Sequence, residues 1–467
     1  MFFCASRFLI DDTFITLSYA RNLAFDGSWG LVSGNRSNTA TSPLNVLALA
    51  AVTVVVRDAV LACAIVFVLS CVAAVTAFRR IANHYGLSTA FAPVASTLIV
   101  VNPVVSSSLG LEVVLGAAIL SWVAVFAVTH TPVALGIAAG AAVVTRIDLV
   151  VVVAALTLVR ARPMDRLWLS GSAAAVTALP WFLGSWIFLG SAVPDTVVIK
   201  TGQGAWGEWG FGDGLGLYFD KYPAAALLAT VIPVLGGLCL LATPLVRAWR
   251  RVTVLYAWGL GGIAYYAAYT FLDVPPYHWY YGVPVVAGTV VFVGVVFASS
   301  IPFRLFGAVV MFAVGAACIA LWAWTTATDR VVPLTTNHAT PDQYKTIGSH
   351  LVNYSNGRPV RTANEIGALA YYCRCTVVDR FSDRAALAPD LQARMAESGV
   401  TGWLWRSNFR FLDLDALTDA GPIPLDHRLL RASPTDRAPE TLVGWPITSP
   451  WTGPGVLYLV QFDPGGR

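Results

Sequence analysis

The sequence predicts a polytopic α-helical membrane protein with a soluble α/β domain at its carboxyl end. Three observations lead to this fold class. Hydrophobic residues make up 57% of the 467 residues and charged residues only 12%. The mean hydropathy of +0.67 is far above the range of water-soluble proteins. Long apolar runs recur as far as residue 325, and from Thr326 onward the composition becomes polar and rich in Pro and Asp.

The apolar runs define a membrane part at residues 1–325, because each is long enough to cross roughly 30 Å of hydrocarbon. The run from 132 to 159 is too long for one crossing and contains Arg146 and Asp148, so we expect two short helices there. About ten spans then lie between residues 59 and 325. They are predicted near residues 59–78, 89–109, 113–130, 132–159 (as two helices), 167–189, 223–245, 252–272, 283–300 and 303–325.

The segment before the first of these runs has a different character. Residues 11–42 are polar and rich in Gly, which predicts a first outer loop. The apolar run 43–56 begins with Pro43 and is short, so we expect a helix that lies along the membrane interface. Residues 2–10 are apolar but too short to cross. We therefore expect a further transmembrane helix upstream of Met1, with Phe2 to Ile10 as its outer end.

The arginines between the apolar runs predict the orientation in the plasma membrane. If every crossing is real, they all fall on one side, and the excess of positive charge assigns that side to the cytoplasm. The opposite side would then be extracytoplasmic. It carries the tail, 326–467, and the polar segments at 11–12, 112, 146–148, 191–222 and 273–282. The net charge of only +4 does not favour nucleic acid as a partner. The arginines are Arg79, Arg80, Arg160, Arg162, Arg166, Arg247, Arg250, Arg251 and Arg304.

The tail contains short β-type runs, such as 375–379 and 456–460, that alternate with helix-like stretches such as 386–398, which is typical of a small α/β domain. It also holds Cys373 and Cys375, one residue apart. This spacing permits a disulfide or half of a metal site, but no second Cys/His pair has a matching spacing. We therefore predict structural thiols.

Six short motifs follow one another along most of the chain. They are DDTFITLSYARNLA from Asp11, TSPLN from Thr41, NPVVSSSLGLE ending at Glu112, TRID ending at Asp148, VPDTVVIK ending at Lys200, and NEIGALAYY from Asn364. Together they resemble the motifs of GT-C membrane glycosyltransferases, and most of all those of actinobacterial arabinofuranosyltransferases that use a decaprenyl-phosphate sugar.

The resemblance implies a GT-C-like transmembrane bundle and a defined activity. We expect transfer of a sugar, first of all arabinofuranose, from a polyprenyl-phosphate donor to a cell-envelope glycan or glycolipid at the outer face of the plasma membrane. A polyprenyl-phosphate mannosyltransferase acting on glycolipid or protein is the first alternative. A lipid-sugar flippase or transporter is the second, and it predicts charges near mid-helix and a repeat between the two halves.

Asp11 and Asp12 are the candidate catalytic residues. Sugar transfer requires a carboxylate that takes the acceptor proton or acts as a nucleophile at the anomeric carbon. By resemblance, Asp11 is expected to be the catalytic residue and Asp12 to contact the acceptor or a divalent cation. Adjacent carboxylates repel, which raises the pKa of one of them. Capping of a helix that starts at Thr13 is the alternative role.

Arg146, Lys200 and His278 are the candidates for binding the donor phosphate, whose developing charge must be neutralised away from water. Each has a structural alternative. Arg146 can pair with Asp148, Lys200 can extend to the interface as lysines near helix ends do, and His278 belongs to an aromatic cluster that suits an interfacial belt.

Three further residues are candidates for sugar binding or for orienting these groups. Glu112 lies at the outer end of a helix pair, where it can bind sugar hydroxyls or orient Arg146, and capping of the next helix is the alternative. Asp148 and Tyr280 complete the predicted site.

Overall fold

The computed structural model describes residues 7–158, 166–246, 248–436 and 441–462. Arg160, Arg162 and Arg247, which contribute to the predicted orientation, and Phe2 of the predicted N-terminal segment lie outside the described residues. In the described part of the chain, the residues up to Thr328 form helices and loops. The residues that follow combine helices with a five-stranded sheet.

The membrane part contains both long and short apolar helices. Five described helices are long and apolar enough to cross a membrane, namely Ala59–Tyr85, Leu167–Leu189, Pro223–Ala242, His278–Ala298 and Ile301–Thr328. Shorter apolar helices are Pro43–Val56, Phe91–Val101, Val113–Val128, Pro132–Thr145 and Ile147–Thr157. The other helices up to Thr328 are Asp11–Asp26, Pro103–Ser107, Thr196–Gln203, Leu215–Lys221, the short 3₁₀ helix Trp249–Arg251 and Thr253–Phe271.

Two of the predicted divisions can be compared with these helices. The run 132–159 is divided as predicted, because Arg146 takes an extended conformation and ends the helix at Thr145. The predicted crossing near 89–109 is instead two helices. The first ends at Val101, and the Asn102 side chain accepts the backbone N–H of Val104 in the second, which begins with a proline. The count of about ten crossings stays a prediction.

The arginine-bearing ends of several helices meet one another. The Tyr85 hydroxyl lies 3.1 Å from the Thr253 hydroxyl, which joins the helix end after Arg79 and Arg80 to the helix start after Arg251. The Trp249 indole N–H donates to the Ser299 hydroxyl at 2.7 Å, close to the helix that carries Arg304. These arginines therefore lie on one side of the bundle.

The tail has the predicted α/β character. Its strands are β1 (Val360–Arg361), β2 (Val377–Val378), β3 (His427–Ala432), β4 (Val443–Ile447) and β5 (Gly455–Gln461), in the order β2-β1-β3-β5-β4. β1 runs parallel to β2 and β3, and the other pairs are antiparallel. The tail helices of seven residues or more are Pro341–Ser355, Gly367–Cys373, Ala388–Ala396, Gly399–Asn408 and Leu414–Ala420.

The tail packs against the first outer helix, Asp11–Asp26. Buried apolar residues of this helix and of the tail belong to one hydrophobic cluster. The Phe14 ring lies 5.3 Å from the rings of Tyr371 and Tyr372, and the Arg21 guanidinium donates to the Tyr371 carbonyl at 2.7 Å. Residues 11–26 therefore share a core with the tail, while the division at residue 325 stays a prediction.

Cys373 and Cys375 form a disulfide, so the prediction of structural thiols is wrong for this pair. Helix Gly367–Cys373 ends at Cys373, and Arg374 takes a left-handed conformation with φ of 53°. The chain therefore turns between the two cysteines, and their Cα atoms are 5.1 Å apart. A spacing rule that looks for a second metal-binding pair does not detect such a local turn.

Candidate active site

A cavity of about 580 Å³ lies between helix Asp11–Asp26, the segment 199–217 together with Tyr277, and the tail. Its lining combines acids, bases and aromatic rings from these three regions. The acids are Asp11, Asp12, Glu365 and Asp379, the bases are His338, Arg361 and Arg380, and the rings are Trp206, Tyr277, Phe381 and Trp451. Aromatic rings interleaved with carboxyl groups provide both flat surfaces and hydrogen-bonding groups, which is the chemistry that polyhydroxylated ligands require.

Asp12 faces this cavity from the first turn of its helix and is only partly buried. Burial raises the pKa of Asp12 to about 7, the charge of Lys200 opposes this rise, and the charges of Asp11 and Glu112 add to it. A carboxyl group with a pKa near neutrality can both accept and release a proton at physiological pH.

Asp11 also lines the cavity, but its carboxylate is bonded to the tail. Its carboxylate accepts the backbone N–H groups of Gly367 at 2.9 Å and Ala368 at 2.7 Å, at the start of a tail helix. Its own backbone N–H donates to the Asn337 side chain at 3.4 Å. Burial raises the pKa of Asp11, and the bonds from the tail backbone oppose the rise. The alternative of capping a helix that starts at Thr13 is wrong, because that helix begins at Asp11 and has no side-chain cap. Asp11 instead binds the first N–H groups of a tail helix.

Arg146 is the centre of a buried ionic cluster. Its guanidinium donates to Glu112 at 2.7 Å, to Asp148 at 3.0 Å through Nε, and to the Tyr269 hydroxyl at 2.7 Å. It also lies 4.8 Å from the centroid of the Tyr280 ring. The Arg146–Asp148 pair and the contact with Glu112 that the sequence suggested are thus both present. Glu112 occupies the N-cap position of helix Val113–Val128, but its side chain does not cap that helix.

Lys200 connects this cluster to the cavity wall. Its ammonium donates to the Tyr280 hydroxyl at 2.5 Å and lies 4.7 Å from the centroid of the Tyr277 ring. Burial lowers the pKa of Lys200, and the charges of Asp12 and Glu112 oppose that change while Arg146 adds to it. Lys200 therefore lies within electrostatic reach of Asp12, Arg146 and Glu112, and Tyr280 touches both cations.

His278 is not brought to this cluster. Its side chain is buried, and the ring of Tyr218 lies 6.2 Å from it. It does not line the 580 Å³ cavity, although its neighbour Tyr277 does. The rings of Tyr218 and Trp279 pack around it. Its role in phosphate binding and the alternative of an interfacial belt both stay predictions.

Glu365 and Asp379 are cavity residues that the sequence did not reveal as part of the site. Burial raises the pKa of Glu365 well above its usual range and that of Asp379 to about 7. The Glu365 carboxylate accepts the backbone N–H of His338 at 2.9 Å. Glu365 belongs to the NEIG motif, which was the one available signal, whereas Asp379 simply follows β2.

Contact of Asp12 with a divalent cation stays a prediction. Among the described residues, the structure contains no group of three or more His, Cys, Asp or Glu side chains placed to hold a metal ion. The Asp11 carboxylate is instead bonded to the tail backbone.

Two crystal structures of ArnT from Cupriavidus metallidurans resemble this chain over nearly its whole length. The structure bound to undecaprenyl phosphate gives a TM-score of 0.53 and the apo structure 0.56, each at 15% sequence identity. In both cases the alignment covers 97% of this chain and 94% of ArnT. The chain shares the fold of ArnT. The predicted GT-C-like bundle with a C-terminal α/β domain is therefore confirmed. The sequence matches no protein-family model and no curated protein.

Proposed function

We propose that this protein is a membrane glycosyltransferase that transfers a sugar from a polyprenyl-phosphate donor to an acceptor hydroxyl. One observation carries the proposal. A carboxylate without a structural partner, Asp12, and a cationic cluster from distant segments meet beside a single cavity in a chain with the ArnT fold. One of the ArnT structures with that fold contains undecaprenyl phosphate, which supports a lipid phosphate as the donor carrier here.

Asp12 is the residue that we assign as the general base. Its carboxylate takes the proton of the acceptor hydroxyl while the hydroxyl oxygen attacks the anomeric carbon of the donor sugar. The bond between the anomeric carbon and the phosphate oxygen breaks, and the polyprenyl phosphate leaves with its electron pair. Asp11, which the motif resemblance favoured for this role, is bonded to the tail backbone and is assigned to positioning.

Lys200 is the residue that we assign to the leaving phosphate. The Arg146 guanidinium is already engaged by Glu112, Asp148 and Tyr269, so it has fewer donors to offer. Lys200 is bonded to the neutral hydroxyl of Tyr280, and its charge is free to approach a phosphate. Arg146 is fixed by its bond to Glu112 and packs on the Tyr280 ring. In this position Arg146 orients Tyr280 and adds to the positive potential near Lys200.

The donor sugar and the acceptor follow from the motifs and the cavity lining. The motif resemblance supports arabinofuranose, and the aromatic and acidic lining supports an envelope glycan or glycolipid as acceptor. The arginine-bearing helix ends lie on one side of the bundle, and the positive-inside rule supports a cytoplasmic assignment for that side. The Cys373–Cys375 disulfide supports an extracytoplasmic tail in the plasma membrane, because disulfides persist in oxidising compartments.

The test is transfer by the purified full-length protein in lipid nanodiscs. Polyprenyl-phosphoryl arabinofuranose and polyprenyl-phosphoryl mannose are supplied in parallel with arabinan, galactan and mannan oligosaccharides, and products are detected by mass spectrometry. We expect transfer from the arabinofuranose donor and its loss in D12N. The control is D26N, because Asp26 lies on the same helix, is exposed and bonds to Ser33.

Other results of this assay would contradict parts of the proposal. Transfer from the mannose donor alone would replace the sugar assignment, and unimpaired transfer by D12N would remove the assigned base. Movement of the lipid-linked sugar across a vesicle membrane without transfer to any acceptor would favour the flippase. Mass spectrometry of lipid-linked sugars and envelope glycans in a deletion strain then identifies the natural substrates.

A further inference from the structure

One helix of the tail, Gly399–Asn408, exposes an apolar face that nothing else in the described chain covers. Three apolar side chains at helical spacing are more than half exposed: Val400 at 74%, Trp403 at 61% and Leu404 at 54%. The opposite side is packed, since Gly402 is buried and Trp405 packs against the cluster of Leu387, Leu391 and Phe409. The face is therefore a surface of a well-packed helix and not a frayed segment.

This surface is attached to the end of a membrane-spanning helix. The indole N–H of Trp186, near the end of Leu167–Leu189, donates to the Ser407 carbonyl at 2.9 Å. The Trp186 ring also lies 4.9 Å from the Phe411 ring in an edge-to-face arrangement. Beyond the end of the span, the backbone N–H of Val193 donates to the Asn408 side chain at 2.8 Å. The tail helix is thus fixed at the boundary where the span ends.

One side of the span packs on helix Pro132–Thr145, and the other side points outward along its length. Only Ser170 and Ser185 of the span are buried, and Ile187 and Phe188 next to its end remain 54% and 77% exposed. For a membrane helix these exposed side chains are in contact with lipid. The apolar face of Gly399–Asn408 therefore continues a surface that contacts lipid. It lies at the end of the span, at the level of the interface between the hydrocarbon core and the head groups.

We propose that helix Gly399–Asn408 lies in the interface of the bilayer, with Val400, Trp403 and Leu404 inserted between lipid head groups and the upper acyl chains. Trp is enriched at this depth, and an apolar helix face with flanking arginines is typical of interfacial helices. Arg406 and Arg410 are both exposed and lie on or just after the helix. The same face in water would leave a costly apolar patch.

The proposed contact gives the tail a second attachment to the membrane. The first is the covalent connection at the end of helix Ile301–Thr328. The second fixes the side of the tail that carries Leu387 and Leu391, which pack with Ile199 beside the cavity. The inference does not depend on the proposed sugar transfer, because it rests only on exposure and on contacts with the span.

The test uses the full-length protein in nanodiscs of phosphatidylcholine and phosphatidylglycerol that contain a phospholipid with a photoreactive diazirine near its head group. After irradiation, mass spectrometry locates the lipid adducts. We expect adducts on residues 399–411 and their loss in the triple variant V400S/W403S/L404S. The control is V352S/Y354S, because Val352 and Tyr354 are also exposed apolar residues of the tail, but on helix Pro341–Ser355. This variant should keep the adducts on 399–411.

Three results would overturn the proposal. One is the absence of adducts on 399–411 while the ends of the spans are labelled. Another is labelling of the triple variant at the level of the unmodified protein. The third is a dimer, seen by light scattering, that dissociates in the triple variant, since the apolar face would then be covered by a second copy. Unchanged thermal unfolding of the triple variant confirms that it folds.

Discussion

Gly367 lies against Asp11 so closely that a side chain at position 367 could not be accommodated. A Cβ atom built there would be 2.0 Å from the Asp11 carbonyl oxygen. The same glycine donates its N–H to the Asp11 carboxylate at 2.9 Å. The start of a tail helix is thus fixed to the start of the first outer helix, directly beside Asp12.

The first prediction follows from this contact. G367A should separate the tail helix from Asp11, because the group that would be struck is backbone and cannot rotate away. We expect a loss of about 1–3 kcal/mol in the free energy of unfolding, as for overpacked sites, and a lower transfer rate. Thermal unfolding and the transfer assay measure both. G184A is the control, since nothing lies within 4 Å of a Cβ at Gly184. Equal behaviour of the two variants would contradict the contact.

The second prediction separates the two adjacent acids. In D11N an amide N–H₂ group replaces one of the two oxygens that accept tail N–H groups, so one bond is lost. We expect a lower unfolding temperature, a higher KM for the acceptor, and an unchanged pH profile. D12N should instead keep its unfolding temperature and lose kcat by roughly a hundredfold or more, as expected for a general base. If D11N abolishes turnover with no change in stability, Asp11 is the base.

The third prediction concerns pH. The pKa of Asp12 is raised to about 7, and only its ionised form can accept the acceptor proton. The transfer rate should therefore be low below pH 7, where Asp12 is protonated, and should increase as the pH rises through about 7. Asp379 has a similarly raised pKa of about 7, so D379N is the necessary comparison. We expect D379N to keep the transition near pH 7. If D379N loses the transition near pH 7, the group that titrates is Asp379 of the tail and not Asp12.

The sequence predicts the features that a lipid environment enforces. Apolar runs become helices because no other backbone arrangement satisfies its hydrogen bonds within the bilayer, and Arg146 ends a helix because its charge requires the partners that Glu112 and Asp148 provide. The bounds of the helix predicted at 43–56 and of the break after residue 145 follow from such local chemistry.

What the sequence could not supply is the direction of each side chain. Asp11 and Asp12 are neighbours, yet successive side chains on a helix point about 100° apart. Which of them is bonded to the tail depends on Gly367, which is 356 positions away from Asp11. The contributions of Asp379 and Trp451 to the cavity likewise depend on how the tail docks. Local patterns carry no information about such distant contacts.

The fourth prediction concerns the ion pair that joins the tail to the loop after helix Leu167–Leu189. Arg384 of the tail binds Asp195 at 2.8 Å, with side chains that are only 10% and 0% exposed. R384A should leave a buried, unpaired carboxylate and cost about 3–5 kcal/mol of unfolding free energy. R380A is the matched control, because Arg380 pairs with Asp390 at sites that are about half exposed. Its loss should cost about 0–1 kcal/mol. Similar unfolding temperatures for both variants would show that the buried pair does not hold the tail.

The last prediction tests the assignment of Lys200. K200M keeps an apolar side chain of similar length but removes the charge that lies 4.7 Å from the centroid of the Tyr277 ring. A hydrogen bond to a charged group contributes about 1.5–3 kcal/mol, so the affinity for a polyprenyl phosphate should fall roughly tenfold to a hundredfold. K345M is the control, because Lys345 lies in the tail beside Tyr372, away from the cavity lining. Competition by undecaprenyl phosphate in the transfer assay measures the affinity. An unchanged affinity in K200M would mean that Lys200 only extends toward the interface, and the phosphate would then have to be bound by Arg146.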